Sequence, residues 1–559
     1  ITHQVDQLQQ LYGYTGANVK VCVLSDGVNA LSSLQASGDL PTVTVVPGEA
    51  GNGNEGAAML EIVHDLAPGA QLFYATAFSS LESFAANIKA LRNTYHCDLI
   101  VDDVTYFVES PFQLGQTPNL VSDTNGGLLA QAVNDVVADG ALYFAAAGNS
   151  GNFSDGTAGV WEGNFVDGGA VAAPLPGTGR LLNFDPGNTN RTYNTVTQGS
   201  TGPVTLFWAD PLGGSNNDYD LFLLNSSGST VVDASTNVQN GSQDPFEMTS
   251  LTPLAGERVV VVQRTGVARY LHVNTNRGQL RFATTGQTGG HSAALNGFGV
   301  AAADVQNPPV IFDASTVVET FSSDGPRRYF FNPNGMPITP GNFLATGGAV
   351  AQKPDLTAAD GVSCAAPGFN PFYGTSAAAP HAAAIAALLR GAQPTLTNAQ
   401  LRTLLTSAPG AIDIETPGVD RNSGAGVLNA LAARQTLNLP ALALLTLDEI
   451  RTGEGSLSNQ NGVIESGEIF TLTAALTNST LMTATDVQVA LTLVDPPAGV
   501  QVLPDAVVSY GALAPNSRLS NSTQPFVINL APSVPCGVTL NFKITVTYGG
   551  DGGNSPQVF

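Results

Sequence analysis

Short apolar strands alternate with helical stretches in two separated parts of this chain, and that alternation most limits what it can fold into. Residues 19–25 (Val-Lys-Val-Cys-Val-Leu-Ser) read as a buried strand ending at Asp26-Gly27. Helical patterns cover 55–66, 79–95 and 126–138, and strands cover 98–101 and 141–147. Alternation of this kind predicts a parallel α/β sheet layered between helices. From about 180 to 285 no helix is predicted. Short strands broken by Gly, Asn and Ser stand there instead, at 204–208, 219–224, 258–263 and 270–273. The α/β alternation resumes near 291, with a strand over 297–303 and helices over 376–390 and 398–407.

The simplest account is one α/β domain, 1–178 and 286–440, interrupted by an inserted β-sandwich-like domain, 179–285. The β-rich tail, 441–559, resembles an immunoglobulin-like sandwich. A chain of 559 residues has room for these units. Its charge is lopsided: 20 Lys+Arg against 44 Asp+Glu, a net −24. No basic patch is available for phosphates, so nucleic acid is not an expected partner. In acid the carboxylates lose their charge and few positive charges remain to repel one another, which suits a chain that stays folded there. The chain begins at Ile1 and has no membrane-spanning run, and so reads as a processed, secreted product, expected to be a monomer. Cys22, Cys97, Cys364 and Cys536 are too few for a disulfide framework. A Cys22–Cys97 bridge requires neighbouring strands, which the sequence leaves open.

The segment Gly374-Thr375-Ser376-Ala377-Ala378-Ala379-Pro380-His381 precedes an apolar helical run. A serine at a helix start has its hydroxyl at the positive end of the dipole, and its own N–H can donate to an oxyanion. An isolated Ser there would read as an ordinary N-cap. The flanking small residues, Gly374 and Thr375 among them, instead allow a substrate backbone to approach.

This octapeptide resembles the nucleophile motif of the subtilase superfamily. Val21 to Val28, with Asp26 after the apolar strand, looks like the subtilase aspartate motif. Phe144 to Asn149 looks like the segment supplying the oxyanion-hole Asn. Phe321 to Pro326 and Lys353-Pro354-Asp355 match two further landmarks, in the family's order. The resemblance implies a subtilisin-like three-layer fold and a serine endopeptidase acting on protein substrates. Ser376 would be the nucleophile, and Asn149 with the Ser376 N–H would bind the oxyanion. His381 matches a structural family histidine.

One landmark is missing. Subtilisins carry their general base in a His-Gly-Thr-His segment; here that stretch reads Glu55-Gly56-Ala57-Ala58-Met59-Leu60-Glu61-Ile62-Val63-His64, running into Ala67-Pro68-Gly69-Ala70. It resembles the sedolisins, acid-acting relatives with a Glu base. The match is incomplete, because sedolisins place an Asp where Met59 stands and an oxyanion Asp where Asn149 stands. The expected machinery is therefore Ser376, Glu55 as base, Asp26 orienting Glu55, and Asn149. His64, about 900° around the helix from Glu55, faces away. Two carboxylates sharing a proton would raise one pKa, while the helix dipole opposes the rise. Asp102 and Asp103 end a strand and point to opposite faces. Asp103 is placed by rough alignment at the substrate cleft, as a third acid, against the plainer reading of a strand-end cap.

No cofactor is required by this chemistry. Structural calcium has two candidate places, the oxygen-rich loop 459–468 and the Asp218/Asp220 pair. The rival functional readings are a binding or adhesion protein on an inactive subtilase scaffold, and an ester hydrolase.

Overall fold

A computed structural model describes residues 1–436, 439–503, 506–550 and 554–559. Its centre is a nine-stranded sheet in the order Val43–Val45, Gln71–Thr76, Lys20–Ser25, Leu99–Asp102, Leu142–Ala146, Phe298–Asp304, Leu356–Asp360, Val427–Leu428, Ala411–Ile412. All neighbours are parallel except the last pair. Strand Lys20–Ser25 shows why its sequence is apolar throughout: Val21 and Val23 enter one hydrophobic cluster, Cys22 and Leu24 the other. A strand buried on both faces has no polar side to display. Helices Glu55–Leu66 and Thr375–Ala392 pack on the first face, Leu81–Asn93 and Leu128–Ala138 on the second.

Helix Thr375–Ala392 is buried on nearly every side. A helix that is apolar all round belongs in an interior. Its run of alanines lets it lie close against helix Glu55–Leu66, whose Ala57 and Ala58 share its buried cluster. Cys22 and Cys97 form a disulfide, with Cα atoms 6.1 Å apart. The strand that follows Cys97 pairs directly with the Cys22 strand, which answers the question the sequence left open.

The inserted β region begins earlier than the expected boundary at 179. Strand Val160–Asn164 pairs with Tyr270–Asn274, and Asp167–Ala170 pairs with Arg180–Leu182. The apolar signal of the first strand is only Val160-Trp161, between Gly159 and Glu162, too short for a period of two to show. The insert holds a four-stranded and a seven-stranded sheet, with Trp161, Phe184, Trp208, Tyr219 and Leu271 in one buried cluster. The tail is built from a five-stranded and a four-stranded sheet around Phe470, Val489, Phe526 and Val546.

Candidate active site

Glu55, Asp103, Asn149, Thr375 and Ser376 line one cleft of about 540 Å³. Two helix starts and two strand ends deliver them. Glu55 is the first residue of its helix and Ser376 the second of its own. Asp103 directly follows strand Leu99–Asp102, and Asn149 lies three residues beyond strand Leu142–Ala146.

The Asn149 amide is fixed by its neighbours. Its Oδ1 accepts from the Thr375 N–H (3.0 Å) and the Thr375 hydroxyl (2.8 Å). Gly148 N–H in turn donates to the Thr375 hydroxyl, at 3.2 Å. With Oδ1 so occupied, Nδ2 is the free end. A Cβ on Gly374, where φ is +118°, would lie 3.1 Å from Asn149 Nδ2 and 3.7 Å from Ser376 N. The missing side chain of Gly374 therefore leaves space between two N–H donors, the geometry an oxyanion needs. Thr375 lines the cleft, but its polar atoms serve Asn149.

Asp26 acts differently from expectation. Its Oδ1 accepts from the backbone N–H groups of Gly27, Glu55 (2.9 Å) and Gly56 (3.2 Å). It caps the Glu55 helix from outside, taking donors that no intrahelical carbonyl can reach. Its influence on the Glu55 carboxyl is through charge. The Ser376 hydroxyl and the Asp103 carboxyl, which line the same cleft, both act on the Glu55 carboxyl.

These surroundings set the proton chemistry. Burial pushes the Glu55 pKa up, and the Asp26 charge adds to the rise. The Ser376 hydroxyl, Asp103 and Arg277 favour the anion and moderate it. Asp103 is raised well above the ordinary carboxyl range, by burial first and then by the charges of Glu55 and Asp102. Of two adjoining acids, the more deeply buried keeps the proton and the other is free to accept one.

Asp102 and Asp103 do take opposite faces. Asp102 Oδ1 is 3.0 Å from His291 Nε2, and Glu109 Oε2 is 2.8 Å from His291 Nδ1. Burial opposes charge on this histidine, but the two carboxylates together hold its pKa well above the usual value. His291 is thus a buried imidazolium that anchors the strand end carrying Asp103. Its role was invisible in a sequence where no motif surrounds it. The His64 pKa is lowered by burial and its side chain does not line the cleft. His381 Nδ1 lies 2.8 Å from the Ala377 carbonyl, within its own helix. The insert also reaches the cleft, which is lined by Phe207, His272, Asn274 and Arg277. His272 is held at Nδ1 by Glu162, 2.6 Å away.

The Subtilase family model, Peptidase_S8, matches residues 43–426, more than half of the chain, and spans Glu55, Asn149 and Ser376. The chain belongs to the subtilase family. As a subtilase it is a serine-type peptidase, and its substrates are proteins. No curated protein matches the sequence. Among solved structures, the S41 psychrophilic protease is similar at 15% identity, with 74% of this chain and 92% of that one covered and a TM-score of 0.34. The serine protease of Aeromonas sobria is similar at 12% identity, with 97% and 87% covered and a TM-score of 0.33. A lanthipeptide protease is similar at 14% identity, with 78% and 93% covered and a TM-score of 0.33. No described helix of this subtilase is long and apolar enough to cross a membrane.

At the two places expected for calcium, the carboxylates have protein partners. Asp220 pairs with Arg264, and Asp218 Oδ1 accepts from Gln239 N–H. In the 459–468 loop, Glu465 and Glu468 bond to the loop's own Asn side chains and backbone.

Proposed function

We propose that this subtilase is a secreted endopeptidase in which Glu55, rather than a histidine, is the base for Ser376. One observation supports the reading: Glu55, Asp103 and Ser376 line one cleft, where the Ser376 hydroxyl and Asp103 both act on the Glu55 carboxyl. Ser376 attacks the scissile carbonyl as Glu55 takes its proton. The oxyanion forms between Asn149 Nδ2 and the Ser376 N–H. Glu55 then returns the proton to the leaving amine, and water repeats the sequence on the acyl-enzyme. Asp103 keeps its proton and donates it toward Glu55, so the pair works with one proton between them. Asp26 holds the helix start that carries Glu55.

A base of this kind gives a bell-shaped profile. Activity falls in acid as Glu55 is protonated, with an apparent pKa above that of a free glutamate because burial raises it. It falls again when the shared proton leaves. The maximum lies on the acid side of neutrality, in keeping with the scarcity of Lys and Arg. Asn149 supports activity nearer neutrality than an oxyanion-binding carboxylic acid would, since an amide donates at any pH. The insert and the tail are read as β-sandwich modules, the tail immunoglobulin-like. A pH–kcat/KM profile on a casein-derived peptide tests the proposal; a peak at about pH 8 or above, with no acid limb, contradicts it.

A further inference from the structure

Asp304 and Asp360 end adjacent parallel strands, Phe298–Asp304 and Leu356–Asp360, and are register partners. Partners in register leave the sheet on the same face. The loop after Asp304 returns beside its own strand, where Glu319 N–H donates to the Ala302 carbonyl at 2.8 Å. Glu319 is thereby brought to the same point. One carboxylate oxygen from each of the three lies within 4.8 Å of the other two. The side-chain charges acting on Asp360 and Glu319 are those of fellow carboxylates.

Asp360 shows what is missing. Its side chain is fully buried. Its Oδ2 accepts from the Gly374 N–H at 2.8 Å, but its Oδ1 has no hydrogen-bond partner. A buried carboxylate oxygen without a partner is costly, and more so beside two further acids. We propose that Asp304, Glu319 and Asp360 bind a calcium ion, and that the Asp360–Gly374 hydrogen bond ties this ion to the oxyanion-binding turn.

The donor set fits that cation. All three ligands are hard carboxylate oxygens, with no His or Cys in the group. All three oxygens lie close enough together to be bridged by one cation at calcium–oxygen distances of ~2.4 Å, and calcium accepts the irregular geometry that magnesium resists. Solvent reaches the place through a cavity of about 680 Å³ lined by Asp304, Gln306, Gly361 and Tyr373. Gly361, at φ +70°, keeps the approach clear, since a Cβ there would lie 2.5 Å from Asp304 Oδ1. Ligand sites at the carboxyl ends of parallel strands follow a general rule of such sheets.

The link to catalysis rests on reading 374–376 as the nucleophile turn; binding of the ion does not. The test uses full-length protein stripped with a chelator and titrated with calcium chloride near pH 7.5, read by calorimetry and by thermal melting. One saturable site is expected, with a rise in Tm. The double variant Asp304→Asn/Glu319→Gln should bind at least about tenfold more weakly. If that variant does not fold, Glu319→Gln alone and the calcium content of the purified wild type answer the question. No binding at about 10 mM calcium, or unchanged binding in the variants, overturns the site. A variant that is stabilised, in a protein whose wild type ignores calcium, shows that protons neutralise the cluster and overturns it equally. Fluorophosphonate labelling of Ser376 should slow several-fold on chelation in the wild type and not in the double variant. Labelling indifferent to calcium, with binding intact, overturns the link to Gly374 and leaves both the ion and the peptidase reading standing.

Discussion

In the proposed mechanism Ser376 draws its reactivity from the groups around it: a carboxylate to take its proton and two N–H donors for the charge it creates. Glu55→Gln keeps the shape of the base and removes its basicity. It should cut kcat by about 10²- to 10⁴-fold, with the melting temperature retained. Asn149→Ala should cost about 10²- to 10³-fold in kcat with little change in KM, because its donor matters only once the oxyanion forms. Asp103→Asn removes the shared proton and should flatten the alkaline limb of the profile while the acid limb persists. Much of this was legible in the sequence. Ser376, Asn149 and Glu55 sit in local motifs, and strand alternation separated Asp103 from Asp102. Asp26 acts on Glu55 through its charge and through the backbone of the helix start, not by meeting the side chain; a carboxylate after a strand does not announce which of these it will meet. Arg277 and His272 were missed because their place at the cleft depends on how the insert folds back, which no local pattern records.

Among the elements, the start of helix Glu55–Leu66 is the most exposed to failure. Asn54 gives it no side-chain cap. Asp26 supplies the acceptor from the neighbouring strand end. Asn caps about as well as Asp, so Asp26→Asn should hold stability within about 1 kcal/mol. Asp26→Ala should lose roughly 0.5–2 kcal/mol and reduce kcat as well, since the helix start carries the proposed base. Chemical denaturation of the two variants checks this; equal loss in both would show that the charge, not the acceptor, matters. Gly53 belongs to the same device, because a Cβ there would overlap Asp26 Oδ2. The α/β elements were readable from their alternation. The first strand of the insert was not, since two apolar residues between Gly159 and Glu162 carry no period.

For the whole molecule, buried acids decide how stability follows pH. Asp360 and Glu247 are both pushed up to about 7, chiefly by burial. Glu55 and Asp103 are shifted in the same direction. A carboxyl with a raised folded pKa binds its proton more tightly in the folded state. Its stabilisation is complete below the unfolded pKa of about 4 and is lost as pH rises through the folded value. Asp360 and Glu247 each forfeit on the order of a few kcal/mol across that window. A net charge of −24 adds repulsion on the alkaline side. Burial lowers the pKa of His3 and of His272 to about 3 and that of His381 to about 4, and these histidines oppose the trend below pH ~6.5. In chelator-containing buffer, Tm should therefore fall between about pH 6.5 and pH 8. Calorimetry showing a flat or rising Tm would contradict this account of the interior.

The most direct test of a carboxylate-driven serine is the rate at which a fluorophosphonate labels Ser376, measured against pH in the wild type and in Glu55→Gln. The wild type should label along an acid limb whose midpoint lies above that of a free glutamate, and Glu55→Gln should be slower by at least about 10²-fold at every pH. Equal labelling of the two proteins would show that Glu55 is not the base.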